Sequence, residues 1–301
     1  MATTTASAPV SARRRVSAFF YRRRWLKLVS LLLPPIGWMV VVYLAALAVL
    51  LATAVWQQDV LSGKVLHTFT WDNLQYVRHD ATVHKVTRDT VQMALLVTVT
   101  DMVLAFPLAY YMVRIASRRT RSLLFVGVLM PLWSSYLIKA YTWRLMTGDS
   151  GTINWALAKV DLGPVHIAFS QIAMWLAFSY IWLPYMVLPI YAALERIPNS
   201  LVEASGDLGG RAWRTLRSVI VPLALPGVAA GSIFTFSLTL GDYIMVDLVG
   251  GNKTDFIGSL IFRYQGVAND LPLAAAIAVI PVVVITVYLL LVKRLGAFEA
   301  L

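Results

Sequence analysis

The hydrophobic positions of the chain form six long runs, which alternate with shorter segments rich in charged and polar residues. Each run reaches the length of about 20 apolar residues that one helical crossing of a bilayer requires. The first run has no charged residue between Leu28 and Gln58, and the last has none between Leu271 and Val292. The pattern predicts six transmembrane helices, near residues 29–56, 90–113, 122–146, 165–191, 219–241 and 272–292.

The segments outside these runs predict the rest of the organisation. A basic segment, 1–28, precedes one membrane domain, 29–292, and a short tail, 293–301, follows it. The segment 57–89 mixes aromatic and polar residues in "FTWDNLQYV", which predicts a short interfacial or external helix. Only 14% of all residues are charged, against about 25% in an average soluble domain. We therefore predict an all-α polytopic membrane protein.

The distribution of basic residues predicts the orientation in the membrane. With the N-terminus inside, 17 of the 26 Lys and Arg residues fall in the segments on the cytoplasmic side, whereas the opposite segments, of similar total length, hold 7. This bias fits the positive-inside rule, so both termini are predicted to be cytoplasmic. The net charge of +11 is therefore interpreted as a topological signal next to membrane lipid, and nucleic acid is not an expected partner.

The sequence has no motif of a nucleotide-binding, metal-binding or catalytic site. None of its seven lysines lies in a P-loop pattern, and H-E-x-x-H and G-x-S-x-G are both absent. His79 and His84 lie in a polar segment and are interpreted as surface residues. Because there is no cysteine, disulfides and thiolate metal sites are excluded. We predict that this chain is not an enzyme by itself and holds no cofactor, no metal ion and no catalytic residue.

One stretch breaks the hydrophobic pattern, "EASGDLGGRAWRTLRSVIVPLALPG", from Glu203 to Gly227. At helical spacing its acids and arginines share one face, and apolar residues lie opposite. Ser200 and Glu203 have the spacing of a capping box after Pro198, and the glycine pair 209–210 permits a sharp turn. The pattern predicts two short amphipathic helices across the cytoplasmic end of the bundle. It leaves open whether they bind a partner or only cap the bundle.

The same stretch resembles the EAA loop of permease subunits in binding-protein-dependent ABC importers, with the pattern E-A-A, three residues, G, nine residues, I-x-L-P. The chain departs from it by one serine and by valines at 219 and 221. The resemblance implies that segment 195–218 is a coupling loop that docks on a separate ATPase subunit, which binds ATP and Mg²⁺. The residues that carry this resemblance, or lie within it, are Glu203, Ala204, Ser205, Asp207, Gly209 and Pro222.

A second resemblance covers residues 90–292. The segments "FPLAYYMVR", "PLWSSYLIKAYTWRLM", "GTINWAL", "LPYMVLPIYAALERIPNSLVEASGDLGG" and "LTLGDYIMVDLVGG" occur in order and resemble spermidine/putrescine permeases, specifically the first of their two permease subunits. This implies the type I ABC importer permease fold in a bacterial inner membrane. It also implies three kinds of partner: a second homologous permease, an ATPase dimer and an extracytoplasmic substrate-binding protein. Relatives of this subgroup also carry other small solutes.

Charged residues inside the predicted spans are candidates for the solute pathway, because each costs about 2.5–3.5 kcal/mol on insertion scales. Carboxylates and aromatic rings suit the ammonium groups of a polyamine. Asp242 and Asp247 are the first candidates, and Asp101 comes second. We expect the fifth helix to end near Gly241, so that the following loop turns both acids inward; otherwise only one of the two faces the pathway. The alternatives are an ion pair between Asp101 and Lys139, and ordinary helix-end positions for the other two acids.

Two patterns in the fourth and fifth runs recur at helical spacing. Gly227 and Gly231 form a G-x-x-x-G, which predicts close packing of the fifth helix. The second pattern is aromatic, and it fits either a wall for cation–π contact or ordinary packing in an interfacial belt. Its members are Trp175, Phe178, Trp182 and Tyr185, of which Trp175, Trp182 and Tyr185 are candidates for the pathway.

Two other classes of membrane protein are weighed against an ABC permease. An ion-coupled secondary carrier would use Asp101 and Asp242 as a proton relay. Such carriers usually have internal repeats with discontinuous helices in matching halves, and neither is visible in the sequence. A passive channel would show rings of charge of one sign in an oligomeric pore.

Overall fold

Helices dominate the computed structural model, which describes residues 24–59, 62–251 and 254–294. The prediction of an all-α polytopic membrane protein is confirmed. Five of the described helical spans are long and apolar enough to cross a membrane. They are α1 (Arg24–Ala54), α3 (Ala81–Arg114), α7 (Gln171–Glu195), the span Ala212–Gly241 and α12 (Leu271–Arg294).

The remaining described helices are shorter. The span Ala212–Gly241 itself has three parts: α9 (Ala212–Thr215), the π-helical turn π1 (Leu216–Ile220) and α10 (Val221–Gly241). A second π-helical turn, π2 (Val246–Gly250), follows α10. The others are α2 (Asp72–His79), α4 (Arg118–Trp133), α5 (Tyr136–Thr147), α6 (Thr152–Ala158), α8 (Asn199–Asp207) and α11 (Ile257–Gly266).

The chain divides into two units, 1–53 and 54–301. In the first unit the structure describes helix α1, whose apolar side chains are almost all exposed and which contains Pro34 and Pro35. Most of the predicted basic segment, up to residue 23, lies outside the described residues. The predicted tail also lies outside them beyond Arg294.

The third predicted span, 122–146, is not one continuous helix but is broken between α4 and α5. The chain bends by 96° between α4 and the helical stretch Tyr136–Ala158. Ser134 and Ser135 have extended backbone angles at the break, with ψ of 149° and 138°. The carbonyl oxygen of Pro131 accepts hydrogen bonds from Ser134 Oγ at 3.0 Å and from Lys139 Nζ at 3.0 Å. These hydrogen bonds fix the end of α4. Taken together as one bent span, α4 and the stretch Tyr136–Ala158 form the sixth candidate membrane crossing.

Helix α7 lies at the centre of the second unit and packs against both α3 and α10. Ala109 of α3 belongs to a buried cluster with side chains of α7. On the other side, a Cβ added at Gly227 would lie 2.5 Å from Ala193 Cβ, and one at Gly231 would lie 2.7 Å from Met186 Sδ. Such distances leave no room for a side chain, so the prediction of close packing at the G-x-x-x-G is confirmed.

The segment after α1 contains a β-hairpin that was not predicted. Strand β1 (Trp56–Gln58) pairs antiparallel with β2 (Val65–Phe69). Helix α2 follows, as predicted, and Asn73 Nδ2 donates hydrogen bonds to the carbonyl oxygens of Ala54 and Trp56. Strands this short give too few alternating positions for a sequence pattern to reveal them.

Candidate functional site

In loop 195–218 the predicted glycine turn follows the short helix α8, but the second predicted short helix is not separate, because α9 continues through π1 into α10. Helix α8 ends at Asp207, and Gly209 has φ of +77°, in the left-handed region that favours glycine. The backbone N–H of Gly210 donates to the carbonyl oxygen of Ser205 at 2.8 Å. Across the turn, the hydroxyls of Ser205 and Thr215 lie 2.9 Å apart and join α8 to α9.

Two details of this loop differ from the prediction. The capping box of Ser200 and Glu203 is absent, because α8 begins one residue before Ser200, directly after Pro198, which supplies no capping side chain. The glycine turn also interrupts the predicted continuous face of acids and arginines. Glu203, Ala204 and Asp207 are nevertheless exposed on α8, where a partner protein can reach them.

Two large apolar side chains that were not among the predicted site residues lie exposed in the loop. Leu208 is 88% exposed and Trp213 is 70% exposed, although both are large hydrophobic side chains. Between α8 and α9 lies a groove of about 320 Å³, which Leu201 and Arg214 help to line. Exposed apolar side chains beside a groove are typical of a protein interface. An apolar residue next to the glycine pair of a charged loop is the signal that was available in the sequence.

Pro222 lies in the first turn of α10, directly after π1. Proline has no backbone N–H and therefore leaves the carbonyl oxygen of Ser218 without its usual helical donor. A π-helical turn accommodates this loss without ending the span, and such turns are frequent at functional sites.

The opposite end of α10 carries Asp242, and the helix ends at Gly241 as predicted. The Tyr136 hydroxyl donates a short hydrogen bond to Asp242 Oδ2, and the backbone N–H of Met245 donates to Oδ1 at 2.9 Å. The ring of Tyr136 stacks on Trp182, with 6.0 Å between centroids and 19° between planes. A cavity of about 380 Å³ opens here, lined by Tyr136, Trp182, Ser237, Leu238, Gly241, Asp242, Tyr243 and Ile244.

Asp247 does not join Asp242 at this cavity. It lies on the exposed side of π2. Partial burial raises the pKa of its carboxyl, and the neighbouring charge of Arg263 opposes that rise. The loop after Gly241 therefore directs one acid, and not two, towards the cavity.

The predicted ion pair between Asp101 and Lys139 is wrong. The Lys139 ammonium group bonds to the Pro131 carbonyl oxygen at the break between α4 and α5. Asp101 is fully buried in α3, and neither of its carboxylate oxygens has a hydrogen-bond partner among the described residues. The Ser179 hydroxyl of α7 is the polar side chain that faces it. Asp101 is not among the residues that line the cavity at Asp242.

The four α7 residues of the predicted aromatic pattern divide into two pairs. Trp175 Nε1 donates to Thr100 Oγ1 at 3.0 Å, and Phe178 is fully buried, so both belong to the helix core. Trp182 lines the cavity, and Tyr185 contacts its ring at 5.8 Å between centroids. Sequence reasoning missed Tyr136, which lies in one of the segments quoted above but outside the aromatic pattern of α7.

Comparisons with known proteins agree with this architecture. Residues 93–297 match the family model of the binding-protein-dependent transport system inner membrane component. The inner membrane ABC transporter permease protein YdcU of Escherichia coli is 42% identical over 300 residues, which is 95% of each chain. The spermidine/putrescine transport system permease protein PotB of Escherichia coli is 31% identical over 265 residues, covering 86% of this chain and 94% of PotB.

A solved structure shows the same fold. The crystal structure of a bacterial ABC transporter involved in the import of the acidic polysaccharide alginate contains a chain that matches with a TM-score of 0.74. The match covers 93% of this chain and 97% of that one, at 18% identity. The predicted type I ABC importer permease fold is confirmed. This chain belongs to the family of binding-protein-dependent transport system inner membrane components, the permease subunits of ABC importers.

Proposed function

We propose that this permease imports polyamines such as spermidine and putrescine and forms half of the translocation pathway. The observation that carries the proposal is the cavity in which the Asp242 carboxylate lies beside the rings of Tyr136 and Trp182. An alkylammonium group that leaves water needs a negative partner and favourable contacts for its remaining surface. A carboxylate supplies the first, and the faces of aromatic rings supply the second through cation–π attraction.

The geometry around Asp242 supports its role as a fixed anionic contact. Hydrogen bonds from Tyr136 and from the Met245 backbone orient its two oxygens before any solute arrives. A preoriented carboxylate loses little conformational freedom on binding, which favours affinity. In this proposal Trp182 and Tyr185 form the aromatic wall, whereas Asp101, Trp175 and Asp247 do not contact the solute.

The relatives support the solute class in different degrees. PotB, at 31% identity, is a spermidine/putrescine transport system permease protein. YdcU, at 42% identity, is named as an ABC transporter permease without a stated solute. An ABC importer permease for another small solute is therefore the alternative that the test below must distinguish.

The proposed complex contains a second homologous permease, an ATPase dimer and an extracytoplasmic binding protein in a bacterial inner membrane. Both termini and loop 195–218 face the cytoplasm, in agreement with the bias of basic residues. The ATPase binds ATP and Mg²⁺, and it docks on the exposed face of α8 beside Leu208 and Trp213. Docking there transmits the nucleotide cycle to the span that ends at Asp242.

Uptake into proteoliposomes that contain the whole reconstituted complex tests this function. Radiolabelled putrescine and spermidine, and in parallel a radiolabelled amino acid and a radiolabelled oxyanion, are offered with binding protein and internal ATP, and unlabelled diamines, amino acids and oxyanions compete. We expect ATP-dependent uptake of at least one polyamine, with competition by other amines only. ATP-dependent uptake of an amino acid or an oxyanion in place of amines would show the alternative importer to be correct.

A further inference from the structure

A half-buried arginine at the end of α3 links this helix to the start of loop 195–218. Arg114 is the last residue of α3, and its guanidinium bonds to the elbow between α7 and α8. Nη1 donates to Asn199 Oδ1 at 2.5 Å, and Nη2 donates to the carbonyl oxygen of Ile197 at 2.8 Å and of Leu194 at 3.5 Å. One side chain therefore contacts α7, α8 and the short segment between them.

The chemistry of arginine suits this position. Carbonyl oxygens at the end of a helix lack intrahelical donors and carry partial negative charge, so a cation there is favourable. The planar guanidinium presents several N–H donors at fixed angles, which a lysine ammonium does not. Nη2 of Arg114 binds carbonyl oxygens at the end of α7 and just after it, while Nη1 binds Asn199, the first residue of α8. The relative placement of the two helices is thereby fixed.

The link continues into the membrane core. Ala105 and Ala109 of α3 pack in one buried cluster with Ile190 of α7. A displacement of α8 therefore reaches α7 along the chain and reaches α3 through the Arg114 side chain.

We propose that Arg114 is a positioning residue that couples movement of α8 to the α3–α7 pair. It does not contact the solute. The inference rests on the proposed function to the extent that α8 is displaced by an ATPase.

A second arginine at the same end of α3 provides the matched control. Arg121 of α4 donates from Nε to the Met112 carbonyl oxygen at 2.8 Å and from Nη2 to the Val113 carbonyl oxygen at 2.9 Å. It is the same residue type and also binds backbone carbonyl oxygens, but those belong to α3 alone. Removing Arg121 weakens the attachment of α4 and an interaction with the Tyr191 hydroxyl of α7, but leaves the contact between α3 and α8 in place.

The experiment compares Arg114→Met, Arg114→Lys, Asn199→Ala and Arg121→Met in the full complex in proteoliposomes. Three quantities are measured: basal ATP hydrolysis, hydrolysis stimulated by loaded binding protein, and uptake of radiolabelled putrescine or spermidine. We expect Arg114→Met to assemble with normal basal hydrolysis, while uptake per ATP falls about tenfold, the scale of one lost charge-assisted hydrogen bond. Arg121→Met should keep the wild-type ratio.

The other variants separate coupling from folding. Asn199→Ala keeps the arginine and should lower uptake per ATP by a smaller factor. Adding Asn199→Ala to Arg114→Met should lower the ratio no further, because Arg114→Met has already removed the contact that Asn199→Ala removes. If Arg114→Met fails to assemble, Arg114→Lys and Asn199→Ala must still lower the ratio. A wild-type ratio in the assembled Arg114 variants, or an equal fall in Arg121→Met, would overturn the inference. A wild-type complex that transports no amine overturns the proposed solute instead.

Discussion

Replacing Gly209 with alanine tests the turn that joins α8 to α9. Gly209 has φ of +77°, and a Cβ added there would meet no atom within 4 Å. The cost of the substitution therefore comes from the backbone alone. A residue with a Cβ in this region is less stable by about 1–2 kcal/mol. That energy lowers the population of the observed turn by a factor of about 5–30.

Gly206 is the matched control for this substitution. It lies three residues away, inside α8, has no positive φ, and has open space around an added Cβ. Alanine in a helix interior is more stable than glycine by about 1 kcal/mol. Gly206→Ala and Gly209→Ala are the same exposed substitution with energies of opposite sign.

The assay measures uptake and stimulated ATP hydrolysis by the reconstituted complex. We expect Gly209→Ala to insert normally but to lower both rates about fivefold or more, and Gly209→Val to lower them further. Gly209→Asn should retain more activity, because asparagine tolerates the left-handed region. Gly206→Ala should leave both rates unchanged. Wild-type uptake by Gly209→Ala and Gly209→Val would refute the argument that this turn is needed for coupling.

Three further predictions concern the acid at the end of α10, the close packing at Gly227 and the buried Asp101. Asp242→Asn should weaken uptake of spermidine more than of putrescine at unchanged basal ATP hydrolysis, whereas Asp247→Asn should match the wild type; equal uptake in both variants would remove Asp242 from the pathway. Gly227→Val should reduce assembly measured by size-exclusion chromatography, because overpacking costs about 1–3 kcal/mol, and Gly127→Ala, which meets open space, should not. Asp101→Asn should leave the protein level in membranes unchanged, since no ion pair is broken; a large loss of protein would contradict this expectation.

Spans in this chain were predictable wherever one run of apolar residues folds as one helix. The end of α10 followed from Gly241, and the turn of loop 195–218 followed from the glycine pair, because both depend on local backbone preferences. The break between α4 and α5 did not follow from hydropathy, since Ser134 and Ser135 leave the run apolar on average. The hydrogen bonds at this break depend on the Lys139 side chain, which reaches back to the Pro131 carbonyl oxygen.

The candidate site depended more strongly on tertiary contacts. Asp242 was identified because an acid at the end of an apolar run is unusual. Its partner Tyr136 lies 106 residues away in sequence, and no periodicity in the chain relates the two. The ion pair of Asp101 was predicted from the proximity of neighbouring spans, but helices in contact still present different faces. Which face Lys139 presents was decided by the bend after α4.

The π-helical turn π1 sets the rotational phase between the two ends of its span. An α-helix advances by about 100° per residue, and a π turn accommodates about one extra residue, so α9 is about 100° out of phase with α10. Thr215 can therefore face Ser205 of α8 while Gly227 faces α7. The face that meets α8 and the face that packs in the membrane are specified by separate stretches of sequence. A substitution on one face consequently leaves the orientation of the other unchanged, as long as the number of residues between 216 and 220 is kept.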